Sequence, residues 1–154
     1  MIAVQPLTQA EYEAFVAMAA EDYAQRLVAD AGLPLDQARA LAARDTAAIL
    51  PQGRLTPQHF FSGARNTDTS ELVGYLWWSV DATHALAHLY QVFVLESHRG
   101  QGLGRTMLEH LHAALRGQGI RRITLNVFAQ NRGAIALYEK QGYHVMRLNM
   151  TKLL

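Results

Sequence analysis

Apolar residues at Tyr12, Phe15, Val16, Ala19 and Tyr23 recur at helical spacing, and Thr8 followed by Glu11 forms a capping box that starts this helix near Gln9. Gly32-Leu33-Pro34 breaks it, and the alanine-rich run Asp36 to Leu50 predicts a second helix that stops at Pro51-Gln52-Gly53. From His59 the pattern turns to that of strands. Phe60-Phe61, Leu72 to Trp78 and Leu86 to Leu95 are aromatic and β-branched runs divided by turn-rich segments, which predict three sequential antiparallel strands. A helix over Leu103, Met107, Leu108, Leu111 and Leu115 follows and ends at Gly117 and Gly119, after which Ile123, Leu125 and Val127 alternate as a strand. Asn131 caps a short helix through Ala134, Ile135, Leu137 and Tyr138 that Gly142 terminates. Met146, Leu148 and Met150, on one face, predict a last strand over Tyr143 to Leu153. With Ile2 to Gln5 as a short first strand, the order is β, α, α, β, β, β, α, β, α, β, a mixed α/β (α+β) chain without linker, repeat or low-complexity segment.

Composition narrows the functions open to such a chain. A length of 154 residues suits one domain with a real core. Fourteen Lys and Arg against thirteen Asp and Glu leave a formal charge of +1, far from the basic excess of a nucleic-acid binder. The absence of cysteine excludes a disulfide framework, a thiolate metal site and a catalytic thiol. His110 and His112 lie two apart on a helix and point away from each other, and no His-Glu-x-x-His set occurs, so no metal is expected. The N-terminus lacks a charged region followed by an apolar stretch, and no run approaches the roughly 18 apolar residues of a membrane span. The expectation is a soluble cytoplasmic protein spanning 1–154 as a single domain, with no nucleic-acid or membrane partner.

Between the strand ending at Val94 and the helix starting at Leu103 lies Arg99-Gly100-Gln101-Gly102-Leu103-Gly104. Glycines at 100, 102 and 104 leave no Cβ to block a ligand, so successive N–H groups can turn toward phosphate oxygens at a helix N-terminus, beside the charge of Arg99. A dinucleotide fingerprint read from Gly100 would need its last glycine at Arg105, and a P-loop would need a lysine where none stands between residues 89 and 139. What remains is Arg-x-x-Gly-x-Gly after a strand, with Asn131 and Leu137-Tyr138-Glu139-Lys140-Gln141-Gly142-Tyr143 downstream.

This combination resembles the GNAT superfamily of acetyl-CoA-dependent N-acyltransferases, and the stretch Pro51 to His59 with Trp77-Trp78 resembles uncharacterised bacterial members. The resemblance covers nearly the whole chain in element order, its specific motifs lying between about residues 88 and 144. It implies a mixed, mostly antiparallel twisted sheet of about six to seven strands flanked by about four helices, with central strands splayed apart. It also implies acetyl-CoA as cofactor, its pyrophosphate on Arg99, Gly100, Gln101, Gly102, Leu103 and Gly104, with Arg105 and Thr106 as helpers. The pantetheine arm would pair with backbone groups of Phe93, Val94 and Leu95, and contact Asn126 and Asn131. Family members often carry Pro where Glu96 stands; turn geometry rather than a side-chain contact is at stake there.

Acetyl transfer to an amine needs a neutral nucleophile, a polarised carbonyl and a proton for the leaving thiolate. Without cysteine or a Gly-x-Ser-x-Gly elbow, direct attack in a ternary complex is expected rather than an acyl-enzyme. His88, on the strand that runs into the cofactor site, is the candidate base, with His84 as a relay partner or a loop residue. The resemblance makes Tyr138 the general acid, and the N–H of Val94 is the candidate donor to the carbonyl oxygen. Tyr23, beside Glu21 and Asp22, together with His59, Trp77 and Tyr90, are the candidate acceptor wall for a small-molecule or peptide amine. A homodimer is open through the last strand, where Met150 and Leu153 are apolar. An alternative is an acyl-CoA-binding module with the same fold and no catalysis; a third reading is a nucleotide-binding protein using the same loop.

Overall fold

A computed structural model describes residues 1–154. The chain runs β1 (Ile2–Pro6), α1 (Gln9–Ala31), α2 (Leu35–Ile49), β2 (His59–Asn66), β3 (Leu72–Asp81), β4 (Leu86–Val94), α3 (Leu103–Gly117), β5 (Arg122–Leu125) and α4 (Arg132–Lys140), with single 3-10 turns at Gly53–Leu55 and Glu96–His98. The capping box is present in full: Thr8 Oγ1 accepts from Glu11 N–H, and Glu11 accepts from Thr8 N–H. Gly32, at φ 68°, closes α1 in the left-handed conformation that a side chain would strain.

The strands form one sheet in sequential order, antiparallel from β1 to β4 and parallel between β4 and β5, with α3 as the crossover. Strand alternation divides the core. Leu76, Ala87 and Leu89 meet Met107, Leu108, Leu111 and Leu115 of α3 on one face. Phe61, Tyr75 and Trp77 meet Tyr12 and Phe15 of α1 on the other. The helices α1 and α2 approach through small residues, Ala24, Ala38 and Ala42, around Leu27. Gly74 lets β3, β4 and α3 close up: a Cβ there would lie 2.5 Å from Phe93 O and 2.9 Å from Met107 Sδ.

The sheet has five strands, fewer than the resemblance implied, because residues 143–154 form no strand. The physical reason lies at the root of the segment. Tyr143 N–H donates to Tyr138 O, and the Tyr143 hydroxyl meets His112 Nε2 of α3 at 2.8 Å. From this anchor the chain runs toward the C-terminal end of α1, where Leu153 Cδ1 comes within 3.8 Å of the position a Cβ would take on Gly32. It therefore never lies along β5. That strand is also shorter than its pattern suggested, ending at Leu125 and leaving Val127 outside.

Candidate active site

The site is built by a strand pair that parts. Register runs from Leu86↔Arg122 to Leu89↔Leu125 and then stops, so β4 continues through Val94 with β3 on one side and nothing paired on the other. On the β3 side, Trp77 faces Gln91 and Trp78 faces Leu89, which leaves Tyr90 as an extra residue: a β-bulge at the point of parting. Leu95 N–H donates to Val73 O. By antiparallel alternation, Phe93 and Leu95 turn their backbone groups to β3, while Val92 and Val94 turn theirs to the open side. Of the three residues expected to offer backbone groups to a ligand, only Val94 faces the gap, and its carbonyl already accepts from Arg99 Nε at 3.0 Å.

Beyond the open end, Gly100 and Gly102 adopt φ 76° and 75°, and a Cβ built on either would meet nothing within 4 Å. Gly102 is the N-cap of α3 and supplies no side-chain cap. Thr106 N–H is the first of the helix to find a backbone acceptor, Gly102 O, so the N–H groups of Gln101, Leu103, Gly104 and Arg105 remain without one. An uncapped helix start, its unpaired donors and its positive dipole end form an anion-binding geometry. Arg99 lies beside it with its guanidinium 5.2 Å from the Phe93 ring centre. Arg105 is turned to Glu109 at 2.8 Å, and the Thr106 hydroxyl faces Gly102 O. Gly104 has a packing duty: a Cβ there would come within 3.2 Å of Leu137 and 3.7 Å of Val94, where α3, α4 and the end of β4 meet.

At the closed end stands His88, paired across β5 with Thr124 and hydrogen-bonded to it, Nδ1 to Oγ1 at 2.9 Å. Burial lowers its pKa, which holds the imidazole neutral. Thr124 engages Nδ1, and Nε2 is the ring nitrogen left to exchange a proton when the Nδ1–H tautomer donates to the Thr124 hydroxyl. His59 is neutral for the same reason, burial first and then the nearby His88. However, its Nδ1 accepts from Trp77 Nε1–H at 3.0 Å, so the ring proton sits on Nε2 and His59 is a donor. Tyr90 joins the two, stacked on Trp77 at 4.4 Å, 5.3 Å from His59 and edge-on to His88 at 4.6 Å.

Three of the four expected acceptor-wall residues, His59, Trp77 and Tyr90, thus come together around His88. Trp77 is only 7% exposed and contributes from beneath, while Trp78 turns to the opposite face and stacks on Phe60. Tyr23 stands apart: its hydroxyl lies 3.4 Å from Asp45 of α2 and its ring packs on Phe128. Glu21 and Asp22 are engaged with Arg39 and Arg26. His84 sits in the turn after β3, bonded to Asp81 at 2.6 Å. Asn131 caps α4 through Ala134 N–H, and Asn126 is exposed just past β5. Tyr138 lies half-buried against the α3 side of the core, with no hydrogen-bond partner for its hydroxyl within the chain; burial raises its pKa to about 12. His88 and Val94 are six residues apart, about 20 Å along an extended strand, so the Val94 N–H cannot serve a carbonyl attacked beside His88. The bulge at Tyr90 lies between them. Both the bulge and Thr124 escaped the sequence reading, although a lone hydroxyl between Ile123 and Leu125 was the available signal.

The sequence profile of the Acetyltransferase (GNAT) family matches residues 35–143, more than half of the chain. The chain belongs to this family. Among its relatives are two uncharacterised N-acetyltransferases of Bacillus subtilis (strain 168). YdgE is 31% identical over 153 residues, covering 98% of this chain and 97% of the relative. YycN is 31% identical over 156 residues, covering 99% of each. The crystal structure of YycN superposes with a TM-score of 0.93 at 29% identity, covering 100% of this chain and 99% of that one. The PaiA N-acetyltransferase of Thermoplasma acidophilum, solved in complex with coenzyme A, shares the fold with a TM-score of 0.67 at 21% identity, covering 97% and 93%. The protein is therefore a GNAT acetyltransferase, and acetyl-CoA is the cofactor of its family.

Proposed function

We propose that this protein, as one domain over residues 1–154 acting in the cytoplasm, acetylates the primary amine of a small molecule or peptide by direct attack in a ternary complex. The observation that carries the reading is the parting of β4 from β5 at Leu89 and Leu125, with the uncapped start of α3 just beyond its open end. The residues fit the group: Gly100 and Gly102 leave open space, the N–H groups of Gln101 and Leu103 to Arg105 suit a diphosphate, and the free edge of β4 suits an amide-bearing arm. The coenzyme A complex of the PaiA protein supports the same use of the fold. Arg99 adds charge at the mouth, and Asn126 and Asn131 border the arm from the segment after β5.

Bound acetyl-CoA supplies an activated acyl carbonyl. An alkyl amine, with a pKa of about 10.4, arrives as an ammonium ion at neutral pH. His88 accepts its proton at Nε2 through a short chain of waters, because burial holds the imidazole neutral and Thr124 engages Nδ1. Val92 N–H, two residues past the bulged Tyr90, facing the gap and about 13 Å along the strand from His88, donates to the carbonyl oxygen in place of the more distant Val94 group, with waters spanning the distance to His88. Tyr138 holds its proton throughout the neutral range and gives it to the departing thiolate. His59, Tyr90 and the edge of Trp77 form the wall the amine meets, with His59 Nε2–H offering a donor to an acceptor group on the substrate; Tyr23 stands farther out, beside Phe128. The exposed C-terminal segment supports a homodimer.

Thiol release from acetyl-CoA with a panel of amines, amino acids and peptides tests the reading. Turnover with at least one primary amine is expected, falling at least tenfold in kcat for Tyr138→Phe. Coenzyme A binding with no turnover across the panel would replace it with a non-catalytic acyl-CoA module.

A further inference from the structure

The sheet has a second notch, at its β1 edge. β1 ends at Pro6, opposite Ser62, and the chain makes one more bond to β2, Leu7 N–H to Phe61 O, before it turns into α1. β2 extends three residues past that register, to His59, with β3 on one side and no strand on the other. A cavity of about 310 Å³ opens there, lined by Arg54, His59, Phe60, Ser62 and Trp78 among others. It lies at the small end of ligand-binding cavities, with room for one ring and a short polar arm. Ser62 is only 8% exposed, yet its hydroxyl has no hydrogen-bond partner in the chain. Nor is its oxygen sealed inside protein, since the one such orphaned atom is Oδ1 of Asp30. A desolvated hydroxyl of this kind is stabilised by whatever the cavity brings to it. Arg54 is the only permanently charged side chain in the lining; its Nε donates to Gln9 Oε1 at 2.9 Å, and it belongs to none of the ion pairs of the molecule. The apolar wall is aromatic. Phe60 stacks on Trp78 with ring centres 5.5 Å apart and remains 44% exposed, on the same sheet face as Ser62 two residues on.

We propose that this cavity binds a small aromatic carboxylate, its ring against Phe60 and Trp78 and its carboxylate between the Arg54 guanidinium and the Ser62 hydroxyl. The inference is independent of the acetyl-transfer reading. A carboxylate accepts from both donors at once, and its single charge matches the single cation. A phosphate ester, with up to about two charges and three acceptor oxygens, asks for more donors than this lining offers. An ammonium group would find no carboxylate among the lining residues. An aliphatic chain would fill the space, whereas a ring also gains the stacking that the open surface of Phe60 offers. The cavity adjoins the acceptor wall without including His88 or the cofactor gap. His59 is the shared residue, lining the cavity while its Nδ1 takes the Trp77 indole proton in the aromatic cluster.

The chain has two tryptophans, so the indole N–H signals in nitrogen-edited NMR spectra report on the cavity directly, with Trp78→Phe assigning them. Titration of the full chain with hydrocinnamate, no acyl donor or acceptor present, is expected to move the Trp78 signal saturably. Hydrocinnamamide, of the same shape without the charge, should bind about tenfold more weakly, and phenyl phosphate no more tightly than hydrocinnamate. Arg54→Gln should weaken the acid about tenfold and leave the amide unchanged, and Ser62→Ala should weaken the acid about threefold. A Trp78 signal that does not saturate with millimolar probe overturns the site. Equal affinity of the wild type for acid and amide, tighter binding of phenyl phosphate, or an acid held by Arg54→Gln as by the wild type overturns the carboxylate assignment. The wild-type comparison of acid with amide decides the matter even where a variant folds poorly. Thiol release is read separately and bears only on acetyl transfer.

Discussion

Two imidazoles stand within one aromatic cluster, each engaged at Nδ1 by a different neighbour. Trp77 gives its N–H to Nδ1 of His59 and thereby makes His59 a donor, while the Thr124 hydroxyl meets Nδ1 of His88. In the proposed mechanism Thr124 is a positioning residue for His88, and its removal has an expected signature. Thr124→Val should lower kcat about tenfold, equivalent to about 1.4 kcal/mol, with KM for acetyl-CoA unchanged, and Thr124→Ser should restore most of the rate. Because burial lowers the pKa of His88, the acid limb of kcat/KM should fall below the usual imidazole value of about 6.5, and Thr124→Val should move that limb. A limb unmoved by Thr124→Val, with kcat intact, would take Thr124 out of the site. His88 could be named from its strand position alone; its hydrogen-bond partner could not, because Thr124 lies 36 positions away.

At the scale of elements, the candidate site is made by three terminations. β5 stops at Leu125 while β4 goes on, the bulge at Tyr90 turns the strand where its partner is lost, and α3 starts without a cap. The comparison with α1 is instructive, since Thr8 and Glu11 satisfy the donors there that α3 leaves open. Gly102→Glu should exploit this difference. A side chain at φ 75° is strained, and its carboxylate competes for the same N–H groups. In a thermal-shift titration, stabilisation by coenzyme A should be lost in the variant and retained in the wild type; equal stabilisation of both would move the diphosphate elsewhere. The glycine pattern and the start of α3 were readable directly, since the glycines that free the backbone are themselves the signal. The parting of β4 and β5 was accessible only through the resemblance, because where a strand pair ends is decided by its partner.

Across the whole molecule, burial acts on several titratable groups in one direction. His59, His88 and His112 all have lowered pKa values with burial as the leading cause. The unfolded chain therefore binds protons that the folded one refuses as pH falls through about 6.5, and stability declines in that window. Glu11 and Glu21, lowered by hydrogen bonds to Thr8 and Arg65 and to Arg39 and Gln25, add a further loss once pH drops below about 4.5, as their carboxylates protonate. Calorimetry between pH 8 and 5 should show Tm constant at the upper end and falling below about 6.5, with the fall reduced in His112→Gln. A Tm independent of pH across this range would mean that these imidazoles titrate as they do in the unfolded chain.

Local information was sufficient for the helices, the caps at Thr8, Gly32 and Asn131, the first four strands, the glycine-rich turn before α3 and the family, because each is written in residues close together: a capping box, a period of two or 3.6, a cluster of glycines. Tertiary structure decided what depends on distant partners. It brought His59 and Trp77 to Tyr90 and His88, turned Val94 to the gap and Leu95 away from it, and placed Tyr23 outside the cluster. It also left a strand-patterned segment unpaired, since alternation specifies which side chains share a face, while pairing needs an edge within reach.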